Sequence, residues 1–363
     1  MTAPAPSASE AQQQIAAILH KEVVLAGVAP SGAAGICSAG ANALGFAGAA
    51  EQNSVFDLAS ITKTCVALTT SLLVESGDLS WTTRLHELLP WLAGTPGGEA
   101  TVEAHLSHRA GLVAHRELFR GQQAGLAVKK RELLLAAARA VREPRTSLPL
   151  YSDLGYMLVG EALEALLGEP LDQIVRSRLT APRGWQIASA RQWREQDEGF
   201  TRALPTEIVP ARGGVVRGLV HDDNAWALGG SALCGHAGLF GTVTGVLDLA
   251  RGLLDAALGR GDLTRAAVAL LQRRPDGSLR LGLDGVSAQG SAAGSKVGPN
   301  TFGHLGFTGT SFWCDPDRQV AVCVLSNRVY PSRDNRAIVA ARPRIHGALF
   351  ELASALRAQV GGG

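Results

Sequence analysis

The chain has 363 residues, 46% hydrophobic and 18% charged, which excludes a disordered chain and supplies enough apolar material for a sizeable core. A formal net charge of +2 is too mild to predict a nucleic-acid-binding surface. No apolar run approaches the roughly 18 residues that a membrane span requires.

Read in chain order, Met1–Gln14 is rich in Ala, Pro, Ser and Gln and lacks the basic-then-apolar pattern of a secretory signal. Residues 1–10 read as a loose tail and Ala11–His20 as a helix. Val23–Val28 and Gly32–Ser38 are short apolar stretches compatible with strands. A helical pattern runs from about Ser60 to Ser76, where Gly77 suits the left-handed residue that closes a helix. Trp81–Pro205 reads as mostly helical, most clearly at Arg131–Arg142 and Asp153–Leu167. Thr206–Gly235 is Gly-rich and irregular; helices resume at Leu239–Leu258 and Leu263–Arg273, and Ser287–Asn300 is a loop. Two strands, Thr301–Trp313 and Gln319–Ser326, and a final helix, Arg336–Gln359, close the chain. This order predicts an α+β fold with a helical insertion. The five cysteines, Cys37, Cys65, Cys234, Cys314 and Cys323, are odd in number and scattered, with no CxxC. They read as buried free thiols in a reducing compartment, hence a cytoplasmic protein.

Several signatures are missing. Gly290–Lys296 lacks the spacing of a phosphate loop, no GxGxxG follows a strand, and no GxSxG elbow occurs. His105 and His108 have no third metal ligand in register, and fit a helix end where imidazoles bond to backbone. No metal or cofactor is expected.

Three segments carry chemistry. In Ser60-Ile61-Thr62-Lys63 the first and last residues share a helix face, so a hydroxyl meets an amine. A serine hydroxyl needs a nearby base, and a lysine serves if its pKa is lowered. The helix start also gives Ser60 free backbone N–H groups that stabilise an oxyanion. Lys63 is one of only five lysines and lies in an apolar stretch. Tyr151-Ser152-Asp153 follows the turn Pro144–Pro149 and opens a helix; its phenol is a candidate proton relay, and a cationic Lys63 would favour the phenolate. Gly303-His304-Leu305-Gly306-Phe307-Thr308-Gly309-Thr310 has the glycine density that lets a ligand approach backbone, with His304 a positive or hydrogen-bonding group. Each segment also has a plain structural reading: a helix cap with a solvated lysine, a packed tyrosine, and a surface histidine near a bulge.

Together, SxxK, YSD and HLG resemble the serine β-lactamase and penicillin-binding-protein family, and most nearly its class C β-lactamase-like esterase branch. The resemblance extends to Phe56–Lys63, Leu106–Leu112, Tyr151–Tyr156, Phe302–Thr310 and Ser326–Pro331, and covers roughly residues 15–355. It implies an antiparallel sheet flanked by the terminal helices (1–79 and 206–363) and a helical domain (80–205), with the site in the cleft between them. Leu118–Leu126 and Trp185–Trp193 are candidates for the mouth of that cleft.

By the same resemblance, Ser60 is the acylated nucleophile, and either Lys63 or Tyr151 is the base. Tyr151 protonates the leaving group, and the N–H groups of Ser60 and Phe307 form the oxyanion hole. His304 and Leu305 stand where β-lactamases carry Lys-Thr, and Asp153 where Asn is usual. A neutral imidazole, an alkyl group and an added carboxylate would hold a substrate carboxylate poorly. With Gly306 and Phe307 completing the substrate-binding strand, the expected substrate is a small neutral ester or amide. The alternatives are a β-lactamase or D-Ala-D-Ala-type peptidase, acyl transfer to an alcohol, and a non-catalytic binding protein on the same fold. His221–Asn224 and Gly235–Gly238 also resemble family segments and read as structural, with His236 capping a helix.

Overall fold

The computed structural model describes residues 6–38, 41–120, 129–143, 148–230, 232–273 and 277–360. The expected features at 121–126 and 144–147 lie outside the described residues. Among the described residues the strands are β1 (Gly32–Ser38), β2 (Ala41–Ala47), β3 (Phe56–Asp57), β4 (Ile187–Ser189), β5 (Pro205–Val209), β6 (Gly214–Arg217), β7 (Leu239–Gly241), β8 (Asp284–Gly285), β9 (Phe302–Leu305), β10 (Ser311–Asp315) and β11 (Val320–Ser326). The largest sheet is antiparallel in the order β2-β1-β11-β10-β9-β8. No described helix is long and apolar enough to cross a membrane.

Strand β11 shows why the sheet is covered on both faces. Its run Val-Ala-Val-Cys-Val-Leu-Ser is wholly buried, and successive side chains alternate between faces. Val320, Val322 and Val324 join Ile15 and Leu19 of the N-terminal helix Ala8–Leu19 and Ile345, Leu349 and Phe350 of the C-terminal helix Ile338–Val360. Ala321, Cys323 and Leu325 belong instead to the cluster that holds Leu247, Ala250 and Leu253 of helix Val243–Ala257. That second cluster continues through the central helix Ile61–Glu75 to Leu154 and Leu158 of helix Asp153–Leu167. The central helix is buried almost all round, which explains its weak amphipathic pattern. All five cysteines are buried and free.

Several sequence expectations need correction. The N-terminal helix starts at Ala8, not Ala11, because Ser7 and Glu10 close a reciprocal capping box. Val23–Val28 is not a strand: Ala11, Ile15, Leu19 and Val23 form one stripe at spacing four, and the helix continues as a π-helical turn, His20–Leu25. Strand β2 is low in β-branched residues and so carries little strand propensity. Thr301–Trp313 is two strands, β9 and β10, joined by a turn. Leu239–Leu258 opens with strand β7 before Thr242 caps the helix. The helical stretch 81–205 contains β4, which pairs with β7, and the irregular stretch 206–235 contains hairpin β5–β6 and helix Asp223–Gly229.

Candidate active site

Ser60 sits at the start of the central helix, immediately after Ala59, whose φ of 47° is left-handed. Such a backbone persists only when its surroundings hold it. Here the buried Asp57 carboxylate accepts from the Ala59 N–H and the His221 N–H, each at 2.8 Å. The turn after β9 is tied to the same segment: Thr308 Oγ1 donates to the Asp57 carbonyl at 2.7 Å and Thr310 Oγ1 to the Leu58 carbonyl at 3.1 Å. Gly306 permits this closeness, since a Cβ there would lie 1.9 Å from Thr310 Oγ1 and 2.7 Å from the Leu58 carbonyl oxygen. Among the described residues, the main-chain N–H groups of Ser60 and Phe307 find no internal acceptor.

Lys63 has no exposed surface, and its ammonium donates to three acceptors. These are Ser60 Oγ at 2.9 Å, Asp153 Oδ1 at 2.7 Å and the His236 carbonyl at 3.3 Å. Burial alone would lower its pKa, but the Asp153 charge, with Tyr151, more than offsets this and holds it raised. Lys63 is therefore an ammonium at rest. Burial opposes ionisation of Asp153 as well, yet Lys63 and His115, 3.5 Å away, hold its carboxyl well below the usual range. The expectation that Asp153 repels an anionic substrate is thus corrected: its charge is neutralised by Lys63.

The Tyr151 ring centroid lies 4.9 Å from the Lys63 ammonium, and Lys63 and the Ser60 hydroxyl both favour the ionised phenol. Burial raises its pKa and the neighbouring Lys63 does not reverse this, so Tyr151 rests as a phenol and not as the expected phenolate. Its ring stacks on His108, centroids 4.6 Å apart. His108 Nδ1 accepts the Ser152 N–H at 3.0 Å, and His105 Nε2 donates to the Gly97 carbonyl at 2.8 Å, so both imidazoles serve backbone. His304 is buried on β9, not at the surface, with its ring centroid 6.2 Å from that of Tyr151. Its Nδ1 donates to the Leu305 carbonyl at 2.9 Å, which leaves Nε2 as an acceptor. Burial, with Lys63, pushes its pKa down to about 3, so it presents no positive charge.

Ser60, Tyr151, Asp153, His304, Leu305, Gly306 and Phe307 line one cleft of about 900 Å³, with Lys63 beneath it. Phe119 reaches the same cleft, but Trp185–Trp193 does not: it borders a separate pocket with Arg176 and Arg202.

Two segments that read from the sequence as structural, and Arg342, which was not singled out, complete the site. Asp222, and not His236, caps helix Asp223–Gly229, and its Oδ1 also pairs with His236 Nε2 at 2.8 Å. Burial disfavours the imidazolium, but Asp222 raises the His236 pKa to about 10. His236 reaches Lys63 because Gly235 lies against helix Asp153–Leu167; a Cβ there would meet the Tyr156 carbonyl oxygen at 1.8 Å. Arg342 also lines the cleft. It donates to the Gly306 carbonyl at 2.6 Å and the Thr310 carbonyl at 3.2 Å, and its buried Nε has no partner. Burial, with Arg328 nearby, lowers its pKa to about 10, and no carboxylate pairs with it among the described residues.

The sequence profile of the Beta-lactamase family matches residues 14–343. The chain belongs to that family. Membership in the Beta-lactamase family places it among the serine hydrolases. An Escherichia coli (strain K12) relative with the provisional name D-alanyl-D-alanine carboxypeptidase is 27% identical over 314 residues, covering 77% of this chain and 70% of that one. Among solved structures, EstCE1, described as a hydrolase with promiscuous acyltransferase activity, superposes with a TM-score of 0.68. It is 19% identical, with 92% of this chain and 99% of that chain covered. A class C beta lactamase from Rhodobacter sphaeroides gives 0.65 at 18% identity, with the same coverage. At these identities the structural likeness speaks for the fold, which is the expected α+β β-lactamase-like architecture.

Proposed function

We propose that this member of the Beta-lactamase family cleaves a carboxylic ester or small amide through an acyl-enzyme on Ser60. The observation that carries the reading is the Ser60–Lys63–Tyr151 cluster at the floor of an open cleft, with the Lys63 ammonium bonded to Ser60 Oγ at 2.9 Å and 4.9 Å from the Tyr151 ring centroid. All three N–H bonds of the Lys63 ammonium have acceptors, Ser60 Oγ among them. The Ser60 hydroxyl hydrogen is then free to point at the Tyr151 oxygen. Tyr151 in its phenolate form takes that proton, the Lys63 charge stabilising the phenolate, and returns it to the leaving group. The carbonyl oxygen of the substrate would sit between the N–H groups of Ser60 and Phe307.

Both pKa values in the Tyr151–Lys63 pair are raised, so the reactive form has lost one proton from the pair and is scarce at neutral pH. Turnover should therefore rise with pH, about tenfold per unit, from neutral into the alkaline range. A second reading, a peptidase or β-lactamase acting on an anionic substrate, is favoured by one observation: the unpaired guanidinium of Arg342 in the cleft. The division at residues 80–205 belongs to the same proposal, since Ser60 and β9 come from one part and Tyr151, Asp153 and His115 from the other. The five free thiols favour a reducing, cytoplasmic setting.

Intact-protein mass spectrometry after a p-nitrophenyl ester and, separately, a penicillin tests the reading, with Ser60→Ala alongside. A Ser60-dependent acyl adduct and turnover with the ester support it. Penicillin turnover without ester turnover moves the assignment to the second reading, and no adduct with either compound leaves a binding protein.

A further inference from the structure

Two of the large apolar side chains that remain exposed, Phe307 (50%) and Val339 (68%), come from different elements and face the same cleft as Ser60. A single exposed apolar residue needs no explanation, but two that converge beside a nucleophile do. Phe307 lies on the turn after β9, and Val339 on the first turn of the C-terminal helix, with Ile338, Leu305 and Phe119 also lining the cavity. The Phe307 ring is held in place. The His221 ring stacks on it at 5.9 Å, and the Arg328 guanidinium lies 4.3 Å from its centroid while Arg328 Nε donates to the Phe307 carbonyl at 2.7 Å. His221 is in turn fixed by Glu207 at 2.8 Å, and Glu207 by Arg333 at 2.6 Å. An apolar surface fixed by this network is pre-organised for a ligand, because little ordering is left to oppose binding.

We propose that Phe307 and Val339 form a subsite for an extended apolar acyl group, so that the preferred substrate is an ester of a medium-chain or aryl carboxylic acid. The inference rests on the serine hydrolase reading. The direction of the acyl group follows from the two sides of Ser60. Tyr151, which donates to the leaving group, stands with Lys63 one turn into the helix. Phe307 belongs to the turn fastened to Asp57 and Leu58, on the preceding side. The portion of the substrate that remains on Ser60 is therefore the portion that meets Phe307.

The test is kcat/KM for p-nitrophenyl acetate, butyrate and octanoate, which share a leaving group and differ only in acyl length. Each methylene withdrawn from water is worth several-fold, so octanoate should exceed acetate by at least about tenfold in the wild type. Phe307→Ala and Val339→Ser should each reduce that ratio at least about threefold, and Phe307→Leu, which keeps apolar surface, should largely preserve it. The ratio is read on variants whose circular dichroism and melting match the wild type. A wild-type ratio at or below one, or a ratio unchanged in both Phe307→Ala and Val339→Ser, overturns the subsite. Failure to form a Ser60 adduct with any of the three esters sinks the hydrolase reading instead, so the two failures are distinguishable.

Discussion

Two cations serve the same cleft, Lys63 buried beneath it and Arg342 part-buried in its lining, and they are treated oppositely. Lys63 meets a carboxylate, the serine hydroxyl and a carbonyl, and its pKa is raised. Arg342 meets carbonyls, and its pKa is lowered to about 10, chiefly by burial. A buried charge is costly unless it is paired and hydrogen-bonded, so the first is stabilised internally and the second is left able to bind. The difference separates machinery from recognition: Lys63 is committed to holding Ser60 and Tyr151, while Arg342 retains capacity for an anionic group brought from outside.

The largest effect that would break this contrast comes from removing the committed cation. Lys63→Met leaves Asp153 buried beside an apolar side chain, and it removes the charge that stabilises the Tyr151 phenolate. Ester turnover should fall by at least about a thousandfold, as for other members of a cooperating catalytic set. Stability should fall by about 3–5 kcal/mol, the usual result of breaking a buried ion pair from one side. Retained turnover would show that Lys63 only packs.

The pair behind Lys63 gives a stability effect of similar size, but one that depends on pH. His236 has its pKa raised to about 10 by Asp222, against burial, and Asp222 has its own lowered to about 2, mainly by His236 and again against burial. The His236 contribution is fully present below about pH 6.5, its unfolded value, and is lost as pH rises through about 10. The Asp222 contribution is present above about pH 3.9 and is lost as pH falls through about 2. Asp222→Asn should therefore cost most between about pH 4 and 6.5, by roughly 3–5 kcal/mol, and much less near pH 10. Melting temperatures of both proteins across that range check it, and a difference independent of pH would remove the ion pair from the account.

A third substitution sharpens the contrast by making Lys63 more like Arg342. Asp153→Asn keeps the shape of the side chain but removes the counter-charge 2.7 Å from the ammonium. Burial is then opposed less strongly, the Lys63 pKa drops, and the alkaline rise of kcat/KM should move to lower pH by at least about one unit. An unmoved pH profile would mean that the Lys63–Asp153 pair is not part of the titrating unit.

How much of this was legible in the sequence depends on distance along the chain. Ser60 and Lys63 could be paired because three residues of helix bring them together, and the YSD and HLG segments could be placed beside them by resemblance. What a segment does after it is buried was not legible. The sequence shows Asp153 as an added negative charge, whereas the fold delivers it to Lys63 and so cancels it. His304 read both as a positive or hydrogen-bonding group and as a neutral imidazole; burial keeps it neutral, and its Nδ1 is spent on the next carbonyl. The segment Gly235–Gly238 was visible as family-like but read as structural, because His236 acts on Lys63 through a main-chain carbonyl, and Arg342 carries no local signature, since it arrives from the C-terminal helix. The terminal elements fared similarly: the stripe from Ala11 to Val23 is visible once the first turn is capped at Ser7, yet nothing local announces the π-helical turn that carries Val23.

The smallest effect is expected at Arg342, and its smallness is the informative part. Replacing an unpaired, part-buried cation removes a desolvation cost along with two hydrogen bonds to carbonyls, so Arg342→Gln should change stability by no more than about 1 kcal/mol, in contrast to Lys63→Met. Neutral esters should be turned over with little change in kcat. Esters whose acyl chain ends in a carboxylate should show a raised KM, by about tenfold, if the guanidinium takes up the role its lack of a carboxylate partner leaves open. The two cations are then distinguished by the same pair of measurements: at Lys63 both stability and kcat collapse, and at Arg342 neither does while selectivity moves. Should Arg342→Gln destabilise the fold as severely as Lys63→Met, its bonds to Gly306 and Thr310 would be structural, and the case for an anionic substrate would lose its one supporting observation.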